Sequence, residues 1–247
     1  MNAASETGLL WGVGVGPGDP ELLTLKAARV LRESPVVAFF AKRGCVGNAR
    51  TIADSFLNAD REELRFEYPF TVEVPATDAS YQSEMSGFYD ICAGRIAEQL
   101  TAGLSVAVLC EGDPFFYGSF MYLHDRLAAR YTVRAIAGIT GMSGCWASAG
   151  LPMTHGDDML AVLPGTLDEA VLARKLAETD ASVIMKVGRN LPKIRHALDE
   201  AGLLDRAVYV ERGTMADERI EPLAARDPEK PAPYFSMVLV PGRRGVR

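Results

Sequence analysis

Short apolar runs recur along this chain, and each is followed by a stretch whose apolar residues return every three or four positions. The runs at 9–15, 35–40, 104–109, 132–137, 159–163, 182–187, 207–211 and 235–240 have the length of buried strands, with a shorter one at 64–66. The stretches 21–33, 48–56, 83–100, 119–130, 142–149, 167–176 and 191–200 carry a helical stripe. In 21–33 the stripe is Leu22, Leu25, Ala28, Val30 and Leu31; in 83–100 Phe88, Ile91 and Ile96 are expected to face inward. Such alternation predicts an α/β protein, with strands covered by helices. Pro69, Pro75 and the polar residues up to Ser80 predict a loop, and the Pro-rich piece 227–233 a surface connection before the last strand. The pattern divides best near residues 130–131, into an N-terminal part, 1–130, and a C-terminal part, 131–247.

The run 104–109 leads into Cys110-Glu111-Gly112-Asp113-Pro114-Phe115-Phe116-Tyr117-Gly118. The helix 119–130 follows, with Phe120, Leu123 and Leu127 on one face. In open α/β sheets ligands bind at the carboxyl ends of strands, where this turn lies. Gly112 lets a ligand approach the backbone, Pro114 fixes the turn, and Asp113 offers a carboxylate to hydroxyls or amines. The same residues also suit an ordinary strand-to-helix turn, and the turn alone does not separate the two readings. A second glycine turn closes the first run. As a dinucleotide fingerprint it fails, because the third glycine, counted from Gly12, falls at Pro17 and, counted from Gly14, at Asp19. An acidic Asp19 at a helix mouth would also oppose a pyrophosphate. The segment 141–145 misses the hydrolase nucleophile elbow by having Cys145 where that motif needs glycine.

Charge and composition exclude more than they assign. A net charge of −6 disfavours a general nucleic-acid partner, which needs a basic face. No apolar run approaches the ~20 residues that span a bilayer, so no membrane partner is expected. Residues 1–7 have neither the basic nor the apolar part of a signal peptide. The cysteines, Cys45, Cys92, Cys110 and Cys145, form no CxxC, which predicts reduced thiols in a cytoplasm and no zinc site. The three histidines, His124, His155 and His196, do not pair at helical spacing, so no metal is expected. His155, in a loop near Pro152 and Gly156, is a weaker candidate for touching a substrate.

The turn 112–118 resembles the Gly-Asp-Pro-x-x-(Phe/Tyr)-Gly signature of the tetrapyrrole methyltransferase family, whose cofactor is S-adenosylmethionine. Val13-Gly14-Val15-Gly16-Pro17-Gly18-Asp19-Pro20-Glu21-Leu22-Leu23-Thr24 is similar to its other signature, and nearly the whole chain falls in step with the family. Within it, Phe116-Tyr117-Gly118-Ser119-Phe120-Met121-Tyr122-Leu123-His124 most resembles members that methylate a meso carbon of a corrin precursor in cobalamin synthesis. The resemblance implies two αβα domains with the cofactor in a cleft, and a homodimer. It implies that Pro17 lies against the methionine end of the cofactor. Glu111, Gly112 and Asp113 would hold its ribose and methionine parts, with Phe116 and Tyr117 close by. Glu111 stands where many relatives carry a glycine, which adds a second carboxylate. The resemblance also implies cofactor contacts from Thr140 and Gly141, from Met185, Lys186 and Val187 against adenine, from the turn Glu211-Arg212-Gly213-Thr214, and from Tyr234 and Phe235.

The substrate so implied is a small-molecule tetrapyrrole with carboxylate arms, for which Lys42, Arg43, Arg50, Arg189 and Arg219 are candidate partners. Transfer of an activated methyl group asks the protein mainly to align the reactants and exclude water. Glu111 and Asp113 are the nearest carboxylates for the proton that leaves afterwards, and neither is assigned as a catalytic base. A family member acting on another ring carbon or on cobalt-containing substrate, the diphthamide-forming member, and a non-enzymatic nucleotide-binding regulator are the competing readings.

Overall fold

A computed structural model of the chain describes residues 7–69 and 79–242. Most of the loop expected around Pro75, and the start of the chain, lie outside the described residues. The chain divides into two compact units, between Thr140 and Gly141.

The first unit is a parallel sheet in the order β3-β2-β4-β1-β5. Its strands are β1 (Leu10–Gly14), β2 (Val36–Ala41), β3 (Glu62–Glu67), β4 (Val106–Cys110) and β5 (Val133–Ile136). Its helices are α1 (Leu25–Glu33), α2 (Asn48–Ala53), α3 (Ala79–Thr101) and α4 (Phe120–Leu127). One core, with Ala27, Leu31, Ala49 and Ile52, joins α1 and α2 to one face of the sheet; another, with Cys92, Ile96, Leu100, Phe120 and Leu123, joins α3 and α4 to the other. The expected break at 130–131 precedes β5, and β5 pairs with β1 in this first sheet.

Local chemistry sets the helix starts. The expected helix 21–33 divides: Asp19 caps a 3-10 turn at Pro20–Leu22, and the Thr24 hydroxyl accepts from the Ala27 N–H to start α1. On α3 the inward stripe is Tyr89, Cys92, Ala93, Ile96 and Leu100, and Ile91 is 67% exposed, contrary to expectation. A 3.6-residue period through Cys92 and Ile96 places Ile91 on the outer face. On the sheet, a methyl on Gly12 would collide with the Phe120 ring. That glycine therefore makes room for a wholly buried phenyl, whose burial contributes about 2–3 kcal/mol.

The second unit begins with α5 (Gly141–Ser148) and continues through β6 (Leu160–Pro164), α6 (Glu169–Ala177), β7 (Ala181–Met185), α7 (Leu191–Glu200), β8 (Val208–Glu211), β9 (Arg219–Pro222) and β10 (Ser236–Val240). Its sheet runs β6-β7-β10-β8-β9. Only β6 and β7 pair in parallel; β10 is antiparallel to both neighbours, and so is β9 to β8. Strand β9 has no counterpart among the expected runs, because an edge strand of Arg219, Ile220, Glu221 and Pro222 carries no apolar pattern. Helices α6 and α7 cover one face, and α5 packs on the other.

Candidate functional site

The carboxyl ends of the three adjacent strands β4, β1 and β5 bring three turns together in the first unit. The Val15 N–H donates to the Cys110 carbonyl (2.9 Å), and the Gly112 N–H to the Gly16 carbonyl (2.8 Å). A methyl on Gly14 would stand 2.7 Å from the Gly112 carbonyl oxygen and 2.6 Å from Gly138 Cα. A methyl on Gly138 would collide with the same carbonyl and lie 2.8 Å from Gly14 Cα. All the obstructing atoms are backbone, so these glycines exist for the contact between turns.

Asp113 completes the bracket. Its Oδ1 accepts from the Phe115 N–H (2.9 Å) and its Oδ2 from the Gly138 N–H (3.0 Å). The carboxylate so fixes its own turn and pins the turn after β5 to it. Sequence reasoning alone does not single out Gly138; its signal is a glycine directly after a strand, in Gly138-Ile139-Thr140-Gly141. Gly112 is buried with φ +65°, while Phe115 and Tyr117 hold about half their surface in solvent. Phe116 stands edge-on to Tyr117, and Pro17, half-buried, follows Gly16 in the opposing turn.

Glu111 behaves differently from Asp113. The residue keeps exposed surface, yet protein crowds its carboxyl, and burial pushes the pKa from an ordinary 4.5 up to about 7. The nearby Ala49 N–H and Asn48 side chain, at the start of α2, act in the opposite direction. A raised carboxyl pKa means that the folded chain holds the proton more tightly than the unfolded one. Stability is then lost as pH rises from about 4.5 through about 7. Glu111→Gln is expected to melt higher than the parent at pH 8, by about 1–2 kcal/mol once solvent screening is discounted, and to converge with it near pH 5. A difference in melting temperature that stays constant over that range would contradict this account.

Backbone strain marks further positions. Outside glycine, left-handed φ values occur among the described residues at Tyr117 (55°), Lys186 (55°), Arg212 (51°) and Thr214 (70°). Each such residue costs on the order of 1–3 kcal/mol and is characteristic of functional turns. All four lie in turns that the sequence resemblance implies as cofactor contacts. Lys186 and Arg212 directly follow the ends of β7 and β8.

In the second unit Met185 is half-buried, Lys186 exposed, and Val187 wholly buried in the core. The Tyr209 hydroxyl donates to Glu211 (3.0 Å) and pairs with Ser236, which orients the Glu211 carboxylate. The Arg212 N–H donates to the Phe235 carbonyl (2.8 Å), and its guanidinium pairs with Asp217. Tyr234 is 75% exposed and edge-on to Phe235. Gly141 opens α5 against Met237, and Thr140 is half-buried before it.

The cationic candidates do not form one cluster. Lys42 and Arg43 are exposed side by side after β2. Arg50 is committed to Asp54 (2.6 Å) and Glu63 (2.9 Å). Arg189 lines a cavity of about 520 Å³ with Arg195, His196 and Lys230. Arg219 is exposed on edge strand β9, and the His155 N–H donates to Asp158. Among the described residues no group of three or more His, Cys, Asp or Glu could hold a metal ion.

Residues 9–228 match the family described as Tetrapyrrole (Corrin/Porphyrin) Methylases. A relative from Sinorhizobium sp., named precorrin-2 C(20)-methyltransferase, is 56% identical over 235 residues, covering 95% of this chain and 96% of that protein. Cobalamin biosynthesis protein CobIJ of Mycobacterium bovis is 45% identical over 97% of this chain, which spans only 47% of that longer protein. Among solved structures, uroporphyrin-III C-methyl transferase from Thermus thermophilus complexed with S-adenyl homocysteine superposes with a TM-score of 0.64, at 25% identity, over 94% of this chain and 97% of that one. With both signature turns in place at the ends of β1 and β4, the chain belongs to the tetrapyrrole (corrin/porphyrin) methylase family.

Proposed function

We propose that this chain transfers a methyl group from S-adenosylmethionine to C-20 of precorrin-2, giving precorrin-3A and S-adenosylhomocysteine in cobalamin synthesis. The observation that carries the substrate is the 56% identity, over 235 residues, to the relative named for that reaction. The chemistry of the signature turn supports the cofactor. Residues 110–118 carry two carboxylates, no cation, and aromatic rings at 115–117, a set that suits a sulfonium cation with a flat base and repels phosphates. Bound there, the cofactor supplies a methyl group that needs no further activation.

The residues of the chain do the rest by position. Asp113 holds the turns after β4 and β5 rigid, so that backbone groups around Gly112 and Pro17 meet the cofactor in one fixed geometry. Phe116 and Tyr117 exclude water beside it. Thr140, Gly141, Met185, Lys186, Val187, Glu211, Arg212, Tyr234 and Phe235 are proposed as further cofactor contacts, Val187 through its backbone. Lys42 and Arg43 are proposed to meet carboxylate arms of the substrate; Arg50, already paired, supports the loop that carries them. We further propose a homodimer in the cytoplasm. Cys45, Cys92, Cys110 and Cys145 are all free, and among the described residues no helix is long and apolar enough to cross a membrane.

Incubation of precorrin-2 with carbon-13 methyl-labelled cofactor tests the reading by NMR. One new methyl resonance coupled to the C-20 meso carbon is expected. Label at another carbon, or turnover only with cobalt-precorrin-2, would assign a sibling activity, and cofactor binding without turnover of any tetrapyrrole would sink the enzymatic reading. Light scattering on the purified chain should report twice the 26.7 kDa chain mass.

A further inference from the structure

Ser119 directly follows the signature turn and stands at the N-cap position of α4, yet its hydroxyl makes no capping hydrogen bond. A serine there ordinarily accepts from an N–H of the helix's first turn. Here two phenols hold it instead. The Tyr89 hydroxyl, from α3, donates to Ser119 Oγ (3.0 Å), and the Tyr68 hydroxyl shares a 2.6 Å hydrogen bond with the same oxygen. A hydroxyl has two acceptor lone pairs and one proton, enough for both. Both phenols are themselves held. The Tyr68 N–H donates to the Ala41 carbonyl at the end of β2 (3.1 Å). The Tyr68 ring stacks on Phe40 (5.3 Å between centroids). Tyr89 is buried, meets Phe40 edge-on and stacks on Tyr122 (4.5 Å). The two hydroxyls therefore reach Ser119 from fixed rings in the packed interior of the first unit.

Between Asp113 and Ser119 lie the rings at 115–117, and Tyr117 holds a left-handed φ of 55°. A residue so strained keeps its conformation only where its surroundings over-determine it. Asp113 grips the turn at one end, through the Phe115 and Gly138 N–H groups. We propose that Ser119 is the matching positioning residue at the other end: gripped by Tyr68 and Tyr89, it holds Phe116 and Tyr117 where they meet the cofactor. This rests on the methyl-transfer reading above and deepens it, since it assigns cofactor placement to a hydroxyl that acts through its neighbours. The helix start gives up a local bond, and the turn gains two bonds to residues 51 and 30 positions away. A local rule broken in favour of a distant contact is the pattern expected at a functional turn.

Amide hydrogen exchange over residues 115–118, followed by mass spectrometry on the full chain without ligands, reads the turn independently of catalysis. It is expected to be about tenfold faster in Ser119→Ala and in the double variant Tyr68→Phe/Tyr89→Phe, which keeps both rings. In Ser119→Thr, which keeps the hydroxyl, it should stay within threefold of the parent. Ser34→Ala is the control for a merely structural loss. That buried hydroxyl donates to the Val30 carbonyl (2.7 Å) in the same unit, and its removal should leave exchange over 115–118 within threefold. By calorimetry, the dissociation constant of S-adenosylhomocysteine should rise about tenfold in Ser119→Ala and in the double variant, and stay within twofold in Ser119→Thr and Ser34→Ala. Unchanged exchange or unchanged affinity in Ser119→Ala would overturn the proposal, and so would equal losses in Ser34→Ala. If the parent bound no S-adenosylhomocysteine, the methyl-transfer reading would fall, while exchange still decided whether Ser119 holds the turn. Should Ser119→Ala not fold, the double variant and Ser119→Thr carry the same comparison.

Discussion

Gly138→Ala should lower the stability of the first unit by about 3 kcal/mol or more, the upper part of the range for overpacking a rigid site. The added methyl would meet the Gly112 carbonyl and Gly14 Cα, which are backbone atoms of turns at the ends of β4 and β1. No flexible side chain can swing aside, so relief requires two turns to separate. Separation would stretch the Gly138 N–H bond to Asp113 (3.0 Å) and the Gly112 N–H bond to Gly16 (2.8 Å). In thermal unfolding the midpoint should drop by about 6–12 °C, on the usual scaling for a chain of this size. Gly44→Ala provides the control, since a methyl at Gly44 meets nothing within 4 Å. That glycine has φ +77°, so its replacement should show only the backbone cost, on the order of 1 kcal/mol. Equal losses at the two positions would show that the three-turn contact contributes little.

Asp113→Ala should weaken S-adenosylhomocysteine binding about 30-fold, equivalent to about 2 kcal/mol, even where the folded protein is recovered. Both carboxylate oxygens are engaged, one by Phe115 and one by Gly138. Removing them frees two N–H groups and unpins the turn after β5, so the proposed cofactor surface loses its fixed geometry and the loss appears in binding. Asp113→Asn tests this more finely. Its amide oxygen can accept from one N–H, but its NH2 group faces the other as donor against donor. An intermediate loss of affinity is therefore expected from calorimetry. Affinity equal to that of the parent in both variants would remove Asp113 from the site.

Much of this site is legible in the sequence because its chemistry is local there. The apolar run before Cys110 and the Gly-Asp-Pro turn after it lie together in the chain, and β4 and its turn stand where that pattern places them. The glycines are harder to interpret. Gly12 looks like part of a ligand loop, and in the structure it clears space for Phe120. Gly138 carries no such mark, yet an added methyl there would collide with the Gly112 carbonyl. Nothing beside either residue in the sequence distinguishes these uses, because the atom each glycine avoids comes from elsewhere in the fold.

The same limit explains Ile91, β9 and Glu111. Ile91 is apolar, and a coarse period through Phe88 and Ile96 draws it inward; only the packing of α3 on the sheet fixes which side is buried. Strand β9 exists because β8 offers it antiparallel partners, and such pairing leaves no trace in four mixed residues. Glu111 reads as a second cofactor carboxylate, and nothing in the sequence shows that the fold crowds its carboxyl and raises its pKa to about 7. By itself the sequence determined the α/β alternation, the two signature turns and the family, since each depends on residue order over a few positions. Only the tertiary structure decided which strands adjoin, which glycines touch, and which N–H groups the Asp113 carboxylate holds. Those outcomes depend on distances between segments far apart in the chain, which a linear pattern does not encode.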